Sequence, residues 1–193
     1  MVGQQPLARE LMRILSIDAA TRMGWCFGCS SDQSPVRYKA LRLRDPDQSI
    51  ETAAYNVGPW LRDRLREFHP DALVVEEKMS LAGQKSAQAG AAQHLLHGGI
   101  LSVAGQFGIR VYNPNVGTVR KFMCGKRSAA IKGDPPAINR TRTKQMVLAR
   151  VHQLGLLPVD CQDFDIADAA LQWGYWATVH GKRRETELHL ISD

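Results

Sequence analysis

The chain has 193 residues, 44% of them hydrophobic and 23% charged, enough to bury a core without disulfides and too apolar for a disordered protein. Its uncharged apolar stretches fall far short of the roughly 20 residues that span a bilayer, and Arg9, Glu10 and Arg13 fall within the first thirteen residues. No membrane segment or signal peptide is therefore expected, which implies a cytoplasmic protein, bacterial or in the host cytoplasm of a phage or other mobile element. A net charge of +6 and a pI near 9.4 fit a polyanionic partner but do not require one.

Residues 14–18 form a short apolar run ending in Asp18, the pattern of a buried first strand. Ala19 to Arg22 make a turn, and Met23 to Cys29 a second strand. Residues 36–44 alternate apolar and basic side chains, as a strand with one wet face does. The short links predict an antiparallel meander. Ile50, Ala53, Ala54, Val57, Leu61, Leu65 and Phe68 then recur at helical spacing. Pro70 ends that helix, and Ala72 to Val75 are an apolar strand leading into Glu76 and Glu77. Residues 84–107, rich in Ala, Gly and Gln, predict a long helix stopped by Gly108. A last strand spans Ile109 to Tyr112. Residues 119–144 read as a short helix followed by a Gly- and Pro-containing loop. Met146, Val147, Val151 and Leu154 mark another helix, and a final one begins near Asp165 with Ala169, Leu171, Trp173 and Trp176. The order predicts an α/β domain, one mixed sheet flanked by helices, over residues 13–178, with residues 1–12 and 181–193 as frayed ends.

Cys26 and Cys29 form a C-x-x-C after Trp25, but a thiol redox site needs its first cysteine at a helix N-terminus. Here the pair follows a strand by a few residues and reads as the return strand of a hairpin. Cys124 and Cys161 stand alone in the sequence and supply no second pair of zinc ligands.

Four acidic residues occupy positions that hydrophobic burial would not choose. Asp18 ends one apolar strand, Glu76 follows another, and Asp165 and Asp168 share a face of the last helix at i, i+3. Singly, each has an ordinary explanation: a turn cap, a solvated strand end, or, for Asp165, a favourable place at a helix N-terminus. Jointly they point to a cation, because clustered carboxylates are costly to bury uncompensated. Oxygen-only ligands favour Mg²⁺ or Mn²⁺ over zinc.

Residues 14–25, reading Ile14-Leu-Ser-Ile-Asp-Ala-Ala-Thr-Arg-Met-Gly-Trp25, resemble the opening strand-turn-strand of RuvC-type Holliday-junction resolvases, whose fold is similar to ribonuclease H. Val74-Val-Glu76 resembles their second acidic strand end, and Asp165-Ile-Ala-Asp-Ala169 their closing D-x-x-D-A. The resemblance covers roughly residues 13–178. It implies a ribonuclease-H-like mixed five-stranded sheet, and a homodimer that cuts four-way DNA junctions with Asp18, Glu76, Asp165 and Asp168 holding two Mg²⁺ ions, Mn²⁺ serving as a substitute. Glu77 is the rival of Glu76, and the family pattern favours Glu76. Two ions about 4 Å apart would activate water and stabilise the leaving 3′-oxygen, giving 5′-phosphate and 3′-hydroxyl products by the same resemblance. A ribonuclease-H-like nuclease acting on other branched DNA or on RNA–DNA hybrid, and a non-catalytic junction-binding protein, stay open beside this reading.

Residues 119–144 concentrate the charge. Arg120, Lys121, Lys126, Arg127, Lys132, Arg140, Arg142 and Lys144 oppose a single acid, Asp134, leaving the rest of the chain nearly neutral. Such a segment offers salt-sensitive contacts to phosphates. The resemblance places cleavage-assisting lysines at Val119-Arg120 and Thr143-Lys144, with Arg120 departing from Lys. Where these resolvases often carry an aromatic wedge after the second acid, this chain has Lys78, Met79 and Leu81. Met79 is the candidate apolar wedge, with core packing as its alternative. Ala87, Ala91 and Leu95 share a face of the 84–107 helix that suits either a two-fold dimer or packing on the sheet. His94 and His97 are expected at the surface or an interface.

Overall fold

The structure is a computed structural model and describes residues 11–78 and 87–180. Five strands form one sheet in the order β3-β2-β1-β4-β5: β1 (Arg13–Asp18), β2 (Arg22–Cys29), β3 (Arg37–Arg42), β4 (Ala72–Val75) and β5 (Arg110–Tyr112). The meander pairs β1 with β2 and β2 with β3 antiparallel, while β4 and β5 add on parallel to β1. The expected mixed sheet is therefore present. β1 lies at its centre, and the strand alternation assigns its residues to two cores. Leu15 and Ile17 join Leu73 and Val75 against α1 (Ile50–Phe68) and α2 (Ala87–Gln106). Ile14 and Val74 face the other way, toward α3 (Val116–Cys124), α4 (Pro136–Gln153) and α5 (Phe164–His180). By the same alternation Ser16, Asp18 and Glu76 belong to the α5 side.

Helix α1 ends as its sequence predicts. His69 takes a left-handed conformation (φ 45°), and its N–H donates to Leu65 O at 3.0 Å, after which Pro70 forbids continuation. The segment 119–144 differs from expectation. The loop is confined to residues 125–135, and α4 begins at Pro136, so Arg140, Arg142 and Lys144 are helical. Proline at the first helical position explains the early start, since its fixed φ suits a helix and its missing N–H has no partner to lose there. Among the described residues no helix is long and apolar enough to cross a membrane.

Helix α5 holds the second layer to the sheet. Trp173 is fully buried and its Nε1–H donates to Gly28 O at 3.4 Å, while Trp176 packs against Tyr112 of β5 with ring centroids 4.4 Å apart. At the other end the helix comes so close to β2 that a Cβ on Gly24 would sit 1.9 Å from the Asp165 carbonyl oxygen. Gly24 is paired with Asp18 across the hairpin, so the missing side chain brings the first turn of α5 to the end of β1.

Gly24→Ala is expected to destabilise the protein by at least about 2 kcal/mol, because two backbones would have to separate. Gly174→Ala, whose Cβ meets the flexible end of Leu156 at 2.7 Å, is expected to cost less. Urea denaturation of both variants checks the order.

Candidate metal and nucleic-acid site

Parallel pairing of Ile17 with Val75 puts the residues that follow them, Asp18 and Glu76, side by side at one end of the sheet. The Glu76 N–H points to Ile17 O at 3.4 Å and continues the ladder. Asp165 and Asp168 arrive from the first turns of α5. Asp163 caps that helix, its Oδ1 accepting the N–H groups of Asp165 (3.0 Å) and Ile166 (3.2 Å). Asp165 is therefore not needed as the cap, and its carboxylate faces the basic side chains instead.

The four acids lie close enough to perturb one another. Burial, then the charges of Glu76, Asp168 and Asp165, hold the Asp18 carboxyl well above the usual carboxylate range, with Lys144 opposing. Burial and then Asp168 push Glu76 up to about 7, against the pull of Arg120 and Lys144. Cations partly neutralise the group. Arg120 Nη2 donates to Asp168 Oδ1 at 3.0 Å, Lys144 Nζ donates to Asp165 Oδ1 at 3.2 Å, and Arg22 pairs with both Asp163 and Asp165. Among the described residues, no three His, Cys, Asp or Glu side chains are drawn together as a finished metal centre. The donor chemistry nevertheless fits a hard divalent cation: oxygen ligands only, two of them carrying raised proton affinity that a cation would relieve.

No protein-family model matches the chain, and no curated protein matches it in sequence. Solved structures do. The RuvC structure of Thermus thermophilus superposes with a TM-score of 0.60 at 19% identity, over 87% of this chain and 96% of its own. The same protein in complex with a Holliday-junction substrate gives 0.60 at 17% identity, with the same coverage. The yeast mitochondrial Holliday junction resolvase Ydc2 gives 0.59 at 12% identity, over 98% of this chain and 86% of its own. The fold is that of the RuvC-type resolvases.

On that fold, the residues singled out from the sequence divide into two groups. Asp18, Glu76, Asp165, Asp168, Arg120 and Lys144 converge at one end of the sheet. Lys121, Lys126, Arg127, Lys132 and Arg140 are exposed on α3, the 125–135 loop and the start of α4, and Arg142 is paired with Asp134. Met79 lies outside the described residues. Glu77 faces away from the acids and ties β4 to the start of α3. Asn115 Nδ2 donates to its Oε2 at 2.8 Å, and its own N–H donates to Pro114 O at 3.1 Å. Asn115 also caps α3 by accepting the Thr118 N–H at 3.2 Å.

Sequence reasoning passed over Arg22 and Asp163. Asp163 was detectable as an acid just before the apolar run of α5, whereas nothing local marked Arg22 as an ion-pair partner. His97 also departs from expectation. It is buried, and desolvation first, then Lys78 and His94, lower its pKa to about 4. Cys26 is buried in β2 with its thiol 3.8 Å from Ile166 O, and burial pushes its pKa well up. That is the reverse of a reactive thiolate, and all four cysteines are free.

A pH dependence follows from the raised acids. As pH rises from about 4.5 to about 7 the folded, metal-free protein holds a proton on Glu76 that the unfolded chain has released, so stability falls through that window, and the raised Asp18 acts in the same sense. Asp71 and Asp163, lowered first by hydrogen bonds from Arg13 and Arg22 respectively, act in the opposite sense, but only at lower pH. In EDTA the Tm is expected to fall from pH 5 to pH 8, and Glu76→Gln to flatten that slope and raise the Tm at pH 8 by several degrees, on the order of 1–2 kcal/mol. Circular dichroism melts across the range measure both.

Proposed function

We propose that the chain is a Mg²⁺-dependent, structure-selective endodeoxyribonuclease that resolves four-way DNA junctions by paired symmetric nicks. The observation that carries this reading is the convergence of Asp18, Glu76, Asp165 and Asp168 with Arg120 and Lys144 at the sheet end of a RuvC-type fold. Asp18, Glu76, Asp165 and Asp168 would hold two Mg²⁺ or Mn²⁺ ions. Bound there, the ions supply water activation and charge stabilisation at the leaving 3′-oxygen.

The rest is the work of the chain's own side chains. Arg120 and Lys144 already lie against the carboxylates at 3.0 and 3.2 Å, so a scissile phosphate entering the cluster would meet both cations. They would offset the charge that builds on its oxygens in the transition state. Lys121, Lys126, Arg127, Lys132 and Arg140 form an outer basic surface whose contacts would track the DNA backbone without reading sequence. The exposed face of α2 supports the homodimer that two symmetric scissile strands call for. Ala91 is exposed there, with Leu95 and Leu101 at 41% and 44% exposure, while Leu96, Ile100 and Ala104 are buried against α1. The side chain of Ala87, the third residue of that face, lies outside the described set.

Purified Asp18→Asn protein is expected to bind a mobile four-way junction as the parent does and to leave it uncut in Mg²⁺, with cutting lower by at least about 10³-fold. The parent should give symmetric paired nicks on the junction and none on linear duplex. Undiminished cutting by the variant, or random nicking by the parent, overturns the reading. Replacing Lys126, Arg127, Lys132 and Arg140 together by Ala should weaken junction binding and flatten the log K against log salt slope by roughly 3 to 4.

A further inference from the structure

Helix α5 buries a polar side chain that none of the chemistry above uses. Gln172 is 2% exposed, and among the described residues neither its amide nitrogen nor its amide oxygen has a hydrogen-bond partner. Its surroundings on the helix are apolar: Ala169, Ala170, Leu171 and Trp173 are all buried. An amide left unpaired in such a place costs about 1–3 kcal/mol, which a Leu or Met of similar size would avoid. Packing therefore does not account for it.

Its position does. Gln172 stands four residues after Asp168, one turn along the same face of α5, and Asp168 is itself 8% exposed. On the facing strand, Ser16 lies two residues before Asp18 on the same side of β1, fully buried, its hydroxyl also without a partner among the described residues. A carboxylate on the helix and a carboxylate on the strand thus each have a buried group with unused hydrogen-bonding capacity one step deeper in the layer. Among the described residues, Asp168 is paired with Arg120, whose Nε is buried without an acceptor. If Arg120 is to meet a phosphate and Asp168 a cation, that ion pair has to open. A carboxylate so nearly buried then needs another donor.

We propose that Gln172 is a positioning residue for Asp168, its amide donating to the carboxylate once Arg120 leaves and orienting the group toward a divalent cation. Side-chain amides and carboxylates at i, i+4 are within reach of one another on a helix, and donors behind a ligating carboxylate typically change metal affinity by about 10- to 100-fold. The inference rests on the acid cluster being a cation site, as proposed above.

The test compares the full-length parent with Gln172→Met and Gln172→Leu in three measurements: Tm in EDTA, Mn²⁺ affinity by calorimetry, and affinity for a four-way junction in EDTA. Both variants are expected to melt at or above the parent Tm and to bind the junction within about twofold of it. Their Mn²⁺ affinity should be lower by about 10-fold, and the metal concentration needed for half-maximal nicking should rise in parallel. Parent-like Mn²⁺ affinity in a variant that folds and binds the junction overturns the role of Gln172 while leaving the proposed function standing. A parent protein that takes up no Mn²⁺ overturns both. Should one variant fail to fold, the other decides. Loss of metal and junction binding together in a folded variant assigns Gln172 to packing and also overturns the inference.

Discussion

The site depends on a contact that contains no functional group. The first turn of α5 lies against β2 at Gly24, so close that a single methyl group would meet the Asp165 carbonyl oxygen at 1.9 Å. Gly24 is the cross-strand partner of Asp18. The approach that brings the helix backbone down therefore also brings Asp165 and Asp168 over the end of β1. Parallel pairing of β1 with β4 adds Glu76 from the other side. The interlocking of Trp173 and Trp176 with Gly28 and Tyr112 then fixes the far end of the helix. With both ends held, the helix has little freedom to slide, and the spacing of the carboxylates is set by apolar packing and not by their own interactions, which are repulsive.

That repulsion explains the cations. Three basic side chains from three different elements, Arg22 of β2, Arg120 of α3 and Lys144 of α4, reach the acids on α5 or its cap. Their neutralisation is incomplete and uneven. All three pair on the helix side, whereas Asp18 and Glu76, on the sheet, have their proton affinities raised. Charge compensation is thus strongest on the helix side of the cluster and weakest on the strand side. A divalent cation arriving between them would find the strand carboxylates in greatest need of it, and its binding would release protons as well as relieve repulsion.

Much of this was legible in the sequence, for identifiable reasons. The mixed sheet and its buried first strand followed from apolar runs bounded by turns, and the acids stood out because burial alone would not place Asp18 or Glu76 where they are. The choice between Glu76 and Glu77 was harder. Neighbouring residues on an extended chain point to opposite sides, and only the fold shows which side is the cluster and which is the amide of Asn115. The start of α4 was missed because the Gly and Pro residues of 133–136 read as loop punctuation, although the second proline is the first residue of the helix. Arg22 and Gln172 were invisible for a deeper reason. The partners of Arg22 are some 140 residues away in the chain, and the importance of Gln172 lies in what it fails to contact, which no local pattern encodes.

The basic segment shows how one charge excess is divided between two roles. The 125–135 loop is stapled to α4 by uncharged groups. Asn139 bonds both the N–H and the carbonyl of Ile131, at 2.8 and 3.1 Å, and the Asp134 carbonyl at 3.2 Å; Thr143 accepts the Ala129 N–H at 3.2 Å. The lone acid of the segment, Asp134, is occupied by Arg142. Because polar side chains and one ion pair give the loop its shape, Lys126, Arg127, Lys132 and Arg140 are not consumed in holding it. Arg120 and Lys144, by contrast, are engaged by the carboxylates. A polyanion approaching this face would first meet cations that have no acidic partner among the described residues, and further in would meet cations that must exchange an aspartate for a phosphate. Affinity and chemistry would then respond differently to salt: the outer contacts are solvent-exposed and screened, while the inner exchange takes place between partly buried groups that screening reaches poorly.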